Sequence, residues 1–205
     1  KAKLRKMEYR KRNRLRFKGP TRNNKKIKKN FPLQKMKKIG LYTQRVMEHF
    51  KNPHNWGKIK NADGIGKVGN IICGDVMWLY IKVEKDKKGN EIIKDVKFET
   101  YGCVAALATS SVITDLVKGK PLEEALEFDR EEIVKELGGL PPVKIHCSVL
   151  AADALYEAIY NYFEKKKREI PEKLIKAHQR IERDKKEIEK RYKEWVKIEE
   201  KMYKE

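Results

Sequence analysis

The stretch LPPVKIHCSVLAADAL, residues 140–155, joins a turn, two reactive side chains and the start of a buried helix. Pro141 and Pro142 interrupt any preceding helix, and the apolar positions after Cys147 predict a helix over residues 148–163. His146 and Cys147 therefore stand where an apolar helix begins. The free backbone N–H groups at such a position favour a thiolate, so the segment indicates chemistry as well as packing.

Two further motifs carry the other cysteines. Cys73 lies in GNIICGDVM, two residues before Asp75, and Cys103 lies in TYGCVAALATSS, where a second helix is predicted over residues 104–118. Thiolates accompanied by an imidazole and a carboxylate suit a soft metal or an iron–sulfur cluster. The predicted ligand residues are Cys73, Asp75, Cys103, His146 and Cys147.

The spacing of the cysteines limits the kind of site. Cys103 follows Cys73 by 30 residues, and Cys147 follows Cys103 by 44, with no CxxC pair. A compact zinc finger is therefore not expected, and the fold must assemble the site. Adjacent side chains point in different directions, so His146 is a poor general base for Cys147 in a cysteine hydrolase. Because Cys103 and Cys147 fall at predicted helix starts, we also expect lowered thiol pKa values at both.

The positive charge of the chain is concentrated at its ends. The net charge of +20 divides into +17 over residues 1–38, −2 over residues 39–163 and +5 over residues 164–205. Nucleic-acid binding is therefore not expected as the main function, although the basic arm could contact phosphates. Three cysteines, an odd count, indicate reduced thiols rather than a secreted disulfide framework. Since the chain shows neither an apolar run of about 20 residues nor a signal peptide, we expect no membrane span and a cytoplasmic location.

The sequence divides into three predicted regions. Residues 1–35 are rich in Lys, Arg and Asn without a period, which predicts a disordered basic extension, and Met36 is a candidate natural start. Residues 36–163 form the predicted domain. In residues 164–205 a long charged helix is predicted from residue 172, with one apolar residue every seven positions. This narrow stripe leaves open whether the helix packs on the body, pairs with a second copy or stands in solvent.

The predicted domain mixes strands and helices. Alternation and turn residues predict strands over residues 64–70, 77–85 and 92–100, with a hairpin loop at residues 87–90. Helices are predicted over residues 42–50, 104–118, 121–128, 130–137 and 148–163. His49 and His54 follow no ligand pattern and are interpreted as structural. Asp153 falls among apolar positions, so it must turn outward or find a partner.

The three cysteine motifs resemble, in order, those of the IscU/NifU-type iron–sulfur cluster assembly scaffolds. The stretch VMEHFKNPHNWG, residues 46–57, is similar to the N-terminal helix and turn of that family, so the resemblance covers roughly residues 42–163. It implies an α+β fold in which helices cover a three-stranded antiparallel sheet. It also implies a carrier rather than an enzyme, which receives sulfur from a cysteine desulfurase, binds iron and passes a [2Fe–2S] cluster to acceptor apoproteins.

The resemblance also assigns roles to particular residues. Cys147 corresponds to the most favoured persulfide acceptor, and Asp75 to an aspartate that affects metal binding and cluster release. Zinc can occupy the site when no cluster is present. The segment that an Hsp70-type chaperone recognises in bacterial relatives corresponds to Leu140, Pro141, Pro142, Val143 and Lys144.

The chain departs from the family pattern at both ends, where the basic arm and the long helix lie. No cysteine follows Cys147 in this sequence, so we do not expect one of the larger nitrogen-fixation scaffolds with a downstream CxxC module. A SufU-like branch relays sulfur as a zinc-dependent sulfurtransferase, and it usually has an insertion before the last motif and lacks the histidine. His146 and the short segment 130–140 favour the scaffold, with the sulfur relay as the alternative. The oligomeric state, including a homo-oligomer, stays open.

Overall fold

The computed structural model describes residues 38–70 and 73–202. Within this part, the strands are β1 (Lys38–Ile39), β2 (Tyr42–Thr43), β3 (Gly64–Gly69), β4 (Val76–Lys85) and β5 (Glu91–Tyr101). The helices are α1 (Gln44–Lys51), α2 (Val104–Val117), α3 (Leu122–Ala125), α4 (Arg130–Glu136), α5 (Ile145–Lys165) and α6 (Glu172–Met202). A 3₁₀ turn at Pro142–Lys144 leads into α5. The predicted basic extension, residues 1–35, lies outside the described residues.

Strands β3, β4 and β5 form an antiparallel sheet in that order, and helices cover one of its faces. Met77, Leu79 and Ile81 alternate along β4 and are fully buried beneath the helices. Helix α5 packs across β3 and β4, and helix α2 packs on β5. The predicted hairpin joins β4 and β5. The α+β fold class predicted from the sequence is confirmed.

A β-bulge explains why the apolar pattern of β5 alternates imperfectly in the sequence. Asp95 pairs with Lys82, but the next pair on the ladder joins Ile93 to Val83, so Lys94 is the extra residue. One extra residue shifts the inward-facing positions by one. The fully buried side chains of β5 are consequently Ile93, Val96 and Phe98.

The outer edge of β5 is covered by the turn that follows α1. The backbone N–H of Phe98 donates to the carbonyl of Asn55 at 3.1 Å, and the N–H of Gly57 donates to the carbonyl of Phe98 at 2.8 Å. The Trp56 ring meets the Phe98 ring edge-on, with 5.2 Å between centroids. These contacts satisfy an otherwise open strand edge and hold the segment after α1 against the sheet.

The first half of helix α6 packs on α5 and β3. Leu174, Ala177 and Ile181 are buried, whereas Tyr192 further along is exposed. The sequence did not predict where this helix packs. In the structure, the apolar stripe is buried in the first half of α6, where the helix contacts α5 and β3. No helix among the described residues is both long and apolar enough to cross a membrane.

Polar pairs accompany this packing. Arg180 of α6 pairs with Asp153 of α5. Asp153 lies among apolar positions in the sequence, and Arg180 is the partner that its carboxylate was expected to need. His178 Nδ1 lies 2.9 Å from Glu157 Oε2, and its ring stacks on Tyr160 with centroids 3.9 Å apart. These pairs set the register of α6 along α5.

Candidate metal and cluster site

The loop before β4 presents Cys73 and Asp75 at one end of the sheet. The N–H of Asn70 donates to the carbonyl of Asp75, and the N–H of Gly74 donates to the carbonyl of Asn70, both at 2.9 Å. Gly74 has φ +73°, a conformation that glycine adopts without strain. The thiol of Cys73 is exposed and lies 3.6 Å from Asn70 Oδ1, whereas Asp75 is buried. The loop therefore aims a buried carboxylate inward beneath an exposed thiol.

Cys103 is the N-cap residue of α2, and the glycine before it lies against Asp75. A β-carbon built on Gly102 would lie 2.9 Å from Asp75 Cγ and 2.8 Å from the β-carbon of Ala106. Only glycine fits at residue 102 without displacing the carboxylate. The Gly-Cys pair singled out in the sequence thus has a packing reason as well as a chemical one.

His146 and Cys147 lie in the first turn of α5, which begins at Ile145 rather than at the predicted residue 148. The helix starts earlier because the 3₁₀ turn at Pro142–Lys144 runs directly into it. The carbonyl of Cys147 accepts a hydrogen bond from Thr109 Oγ1 at 3.1 Å, which ties this turn to α2. The starts of α2 and α5 are therefore held side by side.

The structure brings all five predicted ligand residues together. Cys103 Sγ lies 3.7 Å from Cys147 Sγ, and Cys147 Sγ lies 3.9 Å from Asp75 Oδ2. Ligand atoms of Asp75, Cys103 and Cys147 lie within 4.8 Å of one another, as do those of Cys73, Asp75 and His146. Asp75 belongs to both groups, so the carboxylate stands between the exposed thiol and the two inner ones. That these residues bind a cluster stays a prediction.

The imidazole of His146 has a buried nitrogen without a partner. Nε2 has almost no solvent-accessible surface and no hydrogen bond. A buried polar atom left unsatisfied costs about 1–3 kcal/mol, so such an atom in a native site calls for an unplaced water, ion or ligand. A ring nitrogen of His146 lies within 4.8 Å of ligand atoms of Cys73 and Asp75, an arrangement that fits a bound metal.

The lowered pKa expected for Cys147 is wrong. Burial raises the pKa of the Cys147 thiol well above its ordinary value, and charge on Cys103 and Asp75 raises it further. Burial also raises the pKa of Cys73, and the side chain of Asp75 acts in the same direction, against a hydrogen bond from the Asp75 backbone that lowers it. The helix start cannot overcome these effects because the thiol is 1% exposed and its nearest neighbours are acidic groups. A metal cation would reverse that balance by stabilising the thiolates.

The inner wall of the site contains residues that the sequence did not single out as site residues. Ala105 and Ala106 of α2 form a small apolar cluster with Cys147, and Tyr42 and Leu140 pack against it. Leu140 was predicted only as part of the chaperone segment. Burial, and then charge on Cys103, raises the pKa of Tyr42. These residues could have been predicted from the repeated small side chains after Cys103, because small side chains on α2 allow α5 to approach it closely.

The ammonium group of Lys144 interacts electrostatically with Cys103, Tyr42 and Cys147. The pKa of its ammonium is raised, chiefly by the charge on Cys103 and also by Tyr42 and Cys147. Lys144 stands at the N-cap of α5, two residues before His146. The sequence placed Lys144 in the predicted chaperone segment, and its electrostatic interactions also connect it to the candidate ligands Cys103 and Cys147.

The fold and these side chains define a class of protein: a small α+β protein in which thiol, carboxylate and imidazole side chains from three separate segments come together. The model of the NifU-like N terminal domain family matches residues 41–169, a segment that includes all five candidate ligands. The chain belongs to this family.

Three relatives give the degree of similarity. Iron-sulfur cluster assembly scaffold protein IscU 1 of Archaeoglobus fulgidus is 54% identical over 125 residues, which cover 61% of this chain and 78% of that one. IscU of Aquifex aeolicus is 46% identical over 127 residues, covering 62% and 79%. IscU of Haemophilus influenzae is 51% identical over 124 residues, covering 59% and 94%.

A solved structure is also similar. The N-terminal part of a nitrogen-fixing NifU-like protein from Brucella abortus is 25% identical, covers 61% of this chain and 96% of that one, and has a TM-score of 0.47.

Proposed function

We propose that this protein is an iron–sulfur cluster scaffold, which builds a [2Fe–2S] cluster as cargo and hands it to acceptor apoproteins. The observation that carries the proposal is the convergence of Cys103 and Cys147, 3.7 Å apart at the sulfur atoms, on the buried carboxylate of Asp75. The scaffold names of the relatives support the same role. The working domain in this proposal is residues 36–163, the location is cytoplasmic, and the protein is a carrier rather than a turnover enzyme.

The mixed ligand set suits temporary binding. Soft thiolates bind iron firmly, so four of them make a durable centre. Here three thiolates are joined by the oxygen of Asp75 or the nitrogen of His146, which hold iron less firmly. Such a centre binds a cluster well enough to build it and loosely enough to release it. Zinc fits the same donors when no cluster is present.

Sulfur enters as a persulfide on Cys147. In this step the Cys147 thiolate attacks the outer sulfur of the desulfurase persulfide, forming a new S–S bond while the desulfurase cysteine leaves as a thiolate. Because Cys147 is 1% exposed, the side chains packed around it, which include Tyr42 and Leu140, must move before the two sulfur atoms can meet. Each sulfur then needs two electrons to become bridging sulfide, and an external reductant supplies them.

The segment before α5 is the proposed chaperone contact. Val143 is 72% exposed, although it is apolar, and it lies three residues before His146. An Hsp70-type chaperone that binds residues 140–144 would hold the chain beside two of the cluster ligands. A pull on this segment would unwind the 3₁₀ turn and move His146 and Cys147 away from Asp75, which opens the site.

Anaerobic reconstitution tests the proposal. The reduced full chain is incubated with ferrous iron, cysteine, a cysteine desulfurase and dithiothreitol, and followed by absorption and Mössbauer spectroscopy. We expect a [2Fe–2S] signal that transfers to an apo-ferredoxin and is lost in Cys73→Ser, Cys103→Ser and Cys147→Ser. His178→Ala, which changes a histidine away from the site, should retain the signal. A tightly held zinc with a persulfide on Cys147 and no cluster would overturn the scaffold in favour of the sulfur relay.

A further inference from the structure

A second group of metal-binding side chains lies away from the cysteines. His49 lies in the last turn of α1, His54 lies in the turn that follows, and Asp115 lies near the end of α2. One ligand atom from each residue falls within 4.8 Å of the others. The two imidazole rings have centroids 4.8 Å apart and are tilted by 57°. Two imidazoles and a carboxylate therefore converge, although the sequence offered no ligand pattern for them.

Hydrogen bonds hold this group in place. His49 Nδ1 lies 2.9 Å from Ser111 Oγ, and the same buried hydroxyl accepts the backbone N–H of His54 at 2.8 Å. The Asn55 side-chain amide donates to Asp115 Oδ1 at 3.1 Å. Metal-binding imidazoles and carboxylates are usually oriented by such outer bonds. Because Ser111 engages Nδ1 of His49, an ion held by this group would bind the Nε2 atom of that ring.

The charges around Asp115 leave its carboxylate open to a cation. Lys118, three residues further along α2, bonds instead to Asp95 Oδ1 at 2.7 Å and to Asn55 Oδ1 at 3.3 Å. The ion-pair partner of Asp115 is His54, whose Nδ1 lies 2.5 Å from Asp115 Oδ2. An ion would replace the proton shared by this pair. Ligands of a tetrahedral ion stand about 3.3 Å apart, so the pair must open by under about 1 Å. Both side chains reach solvent and can move that far.

The group is separate from the cysteine centre. Asp115 lies 12 residues after Cys103, and a helix rises about 1.5 Å per residue, so the two lie roughly 18 Å apart. One ion cannot bind both groups.

We propose that His49, His54 and Asp115 form a second metal site, which binds a borderline divalent cation of the zinc class. The donors are nitrogen and oxygen without sulfur, which suits zinc, ferrous iron or nickel and is a poor match for a cluster. Three protein ligands leave a fourth position for water, since His54 and Asp115 face solvent. This proposal is independent of the cluster function.

Metal stoichiometry tests the site in the full chain. The reduced, chelator-treated protein is dialysed against zinc at a free concentration equal to that of the protein, and bound zinc is measured by elemental analysis. We expect two zinc ions per chain for the wild type and one for His54→Gln and for Asp115→Asn. His178 is also paired with a carboxylate but lies outside this group, so the control variant His178→Gln should still bind two zinc ions.

Cobalt(II) distinguishes the two sites by spectroscopy, because a thiolate ligand adds near-ultraviolet charge-transfer absorption. His54→Gln should bind one cobalt ion fewer with that absorption unchanged, and Cys103→Ser should lose the absorption while the second ion stays bound. Circular dichroism checks that each variant is folded. If His54→Gln is unfolded, Asp115→Asn replaces it as the second-site variant. A single metal ion in the wild type that carries the thiolate absorption, or two zinc ions in both second-site variants, would overturn the proposal.

Discussion

The carbonyl oxygen of Ala154 occupies the place where a side chain on Gly66 would have to stand. A β-carbon built on Gly66 would lie 2.0 Å from that oxygen, and Gly64 stands in the same relation to Ala158 at 2.1 Å. Helix α5 therefore rests directly on the backbone of β3. Because α5 carries Cys147 in its first turn, this close contact also helps to determine where the inner thiol lies.

Gly66→Ala should destabilise the protein, because the added carbon must push α5 away from the sheet. We expect the free energy of unfolding to fall by about 2–3 kcal/mol, measured by urea denaturation in the presence of a chelator. Lys67→Ala, at the next position of the strand, is the control. The Lys67 ammonium lies over the Trp78 ring, and its removal should lower the free energy of unfolding by about 1 kcal/mol or less. Equal losses in the two variants would contradict the close-contact account.

Leu174→Ala should reveal whether α6 belongs to the folded core. Leu174 is fully buried, and truncation of such a residue costs about 2–5 kcal/mol. The adjacent Ile175 is 38% exposed, so Ile175→Ala should cost much less. Both variants are measured by thermal and urea unfolding. If they unfold alike, α6 does not pack on α5 in solution.

His146→Leu should have opposite effects on stability and on metal binding. Removal of a buried nitrogen without a partner should maintain or raise the free energy of unfolding of the metal-free protein, by up to about 1 kcal/mol. Loss of an imidazole ligand should weaken zinc binding at the cysteine centre by about tenfold or more. Competition with a chromophoric chelator measures the affinity, and His178→Leu is the control. Unchanged zinc affinity would remove His146 from the ligand set.

Asp75→Ala should make the reconstituted cluster longer-lived, because in the proposed site the carboxylate would be the weaker ligand through which the cluster is opened and released. Transfer to apo-ferredoxin, followed by absorption, should slow severalfold relative to the wild type. Asp184→Ala, on helix α6, provides a control carboxylate away from the site. A mutant cluster that transfers as fast as the wild-type cluster would contradict the assigned role.

The three thiols should react with iodoacetamide in a definite order. Cys73 is exposed and should be modified first, whereas Cys147 is 1% exposed and has a raised pKa. Only the thiolate reacts, so modification of Cys147 should stay slow at pH 8 and speed up as the pH rises further. Peptide mass spectrometry after timed quenching follows each site, and bound zinc should protect all three. Rapid modification of Cys147 at pH 7 would show that its thiol is neither buried nor protonated.

Much of the fold follows from local patterns. Met77, Leu79 and Ile81 alternate along a strand in the sequence and are buried together in the structure, since alternate residues of a strand share one face. The loop at residues 87–90 was sufficient to predict the hairpin. The five candidate ligands were also recognisable, because each stands beside a turn or at a helix start within a motif of the family.

Other features depend on contacts between distant segments. The bulge at Lys94 was hidden in an imperfect alternation, since only pairing with β4 shows which residue is extra. The direction of the pKa shift at Cys147 was predicted wrongly, because a helix start is visible in the sequence and the burial of its thiol is not. His49 and His54 were interpreted as structural, and Asp115, 61 residues after His54, had no visible connection to them.

The sequence by itself determined which residues could hold a soft metal and which segments would be strands or helices, because those properties depend on side-chain chemistry and on neighbours along the chain. Only the tertiary structure decided that Cys103 and Cys147 meet at 3.7 Å over Asp75, and that two histidines converge on Asp115. The physical reason is that packing brings together residues tens of positions apart. Burial then sets their protonation and the ions that they can bind.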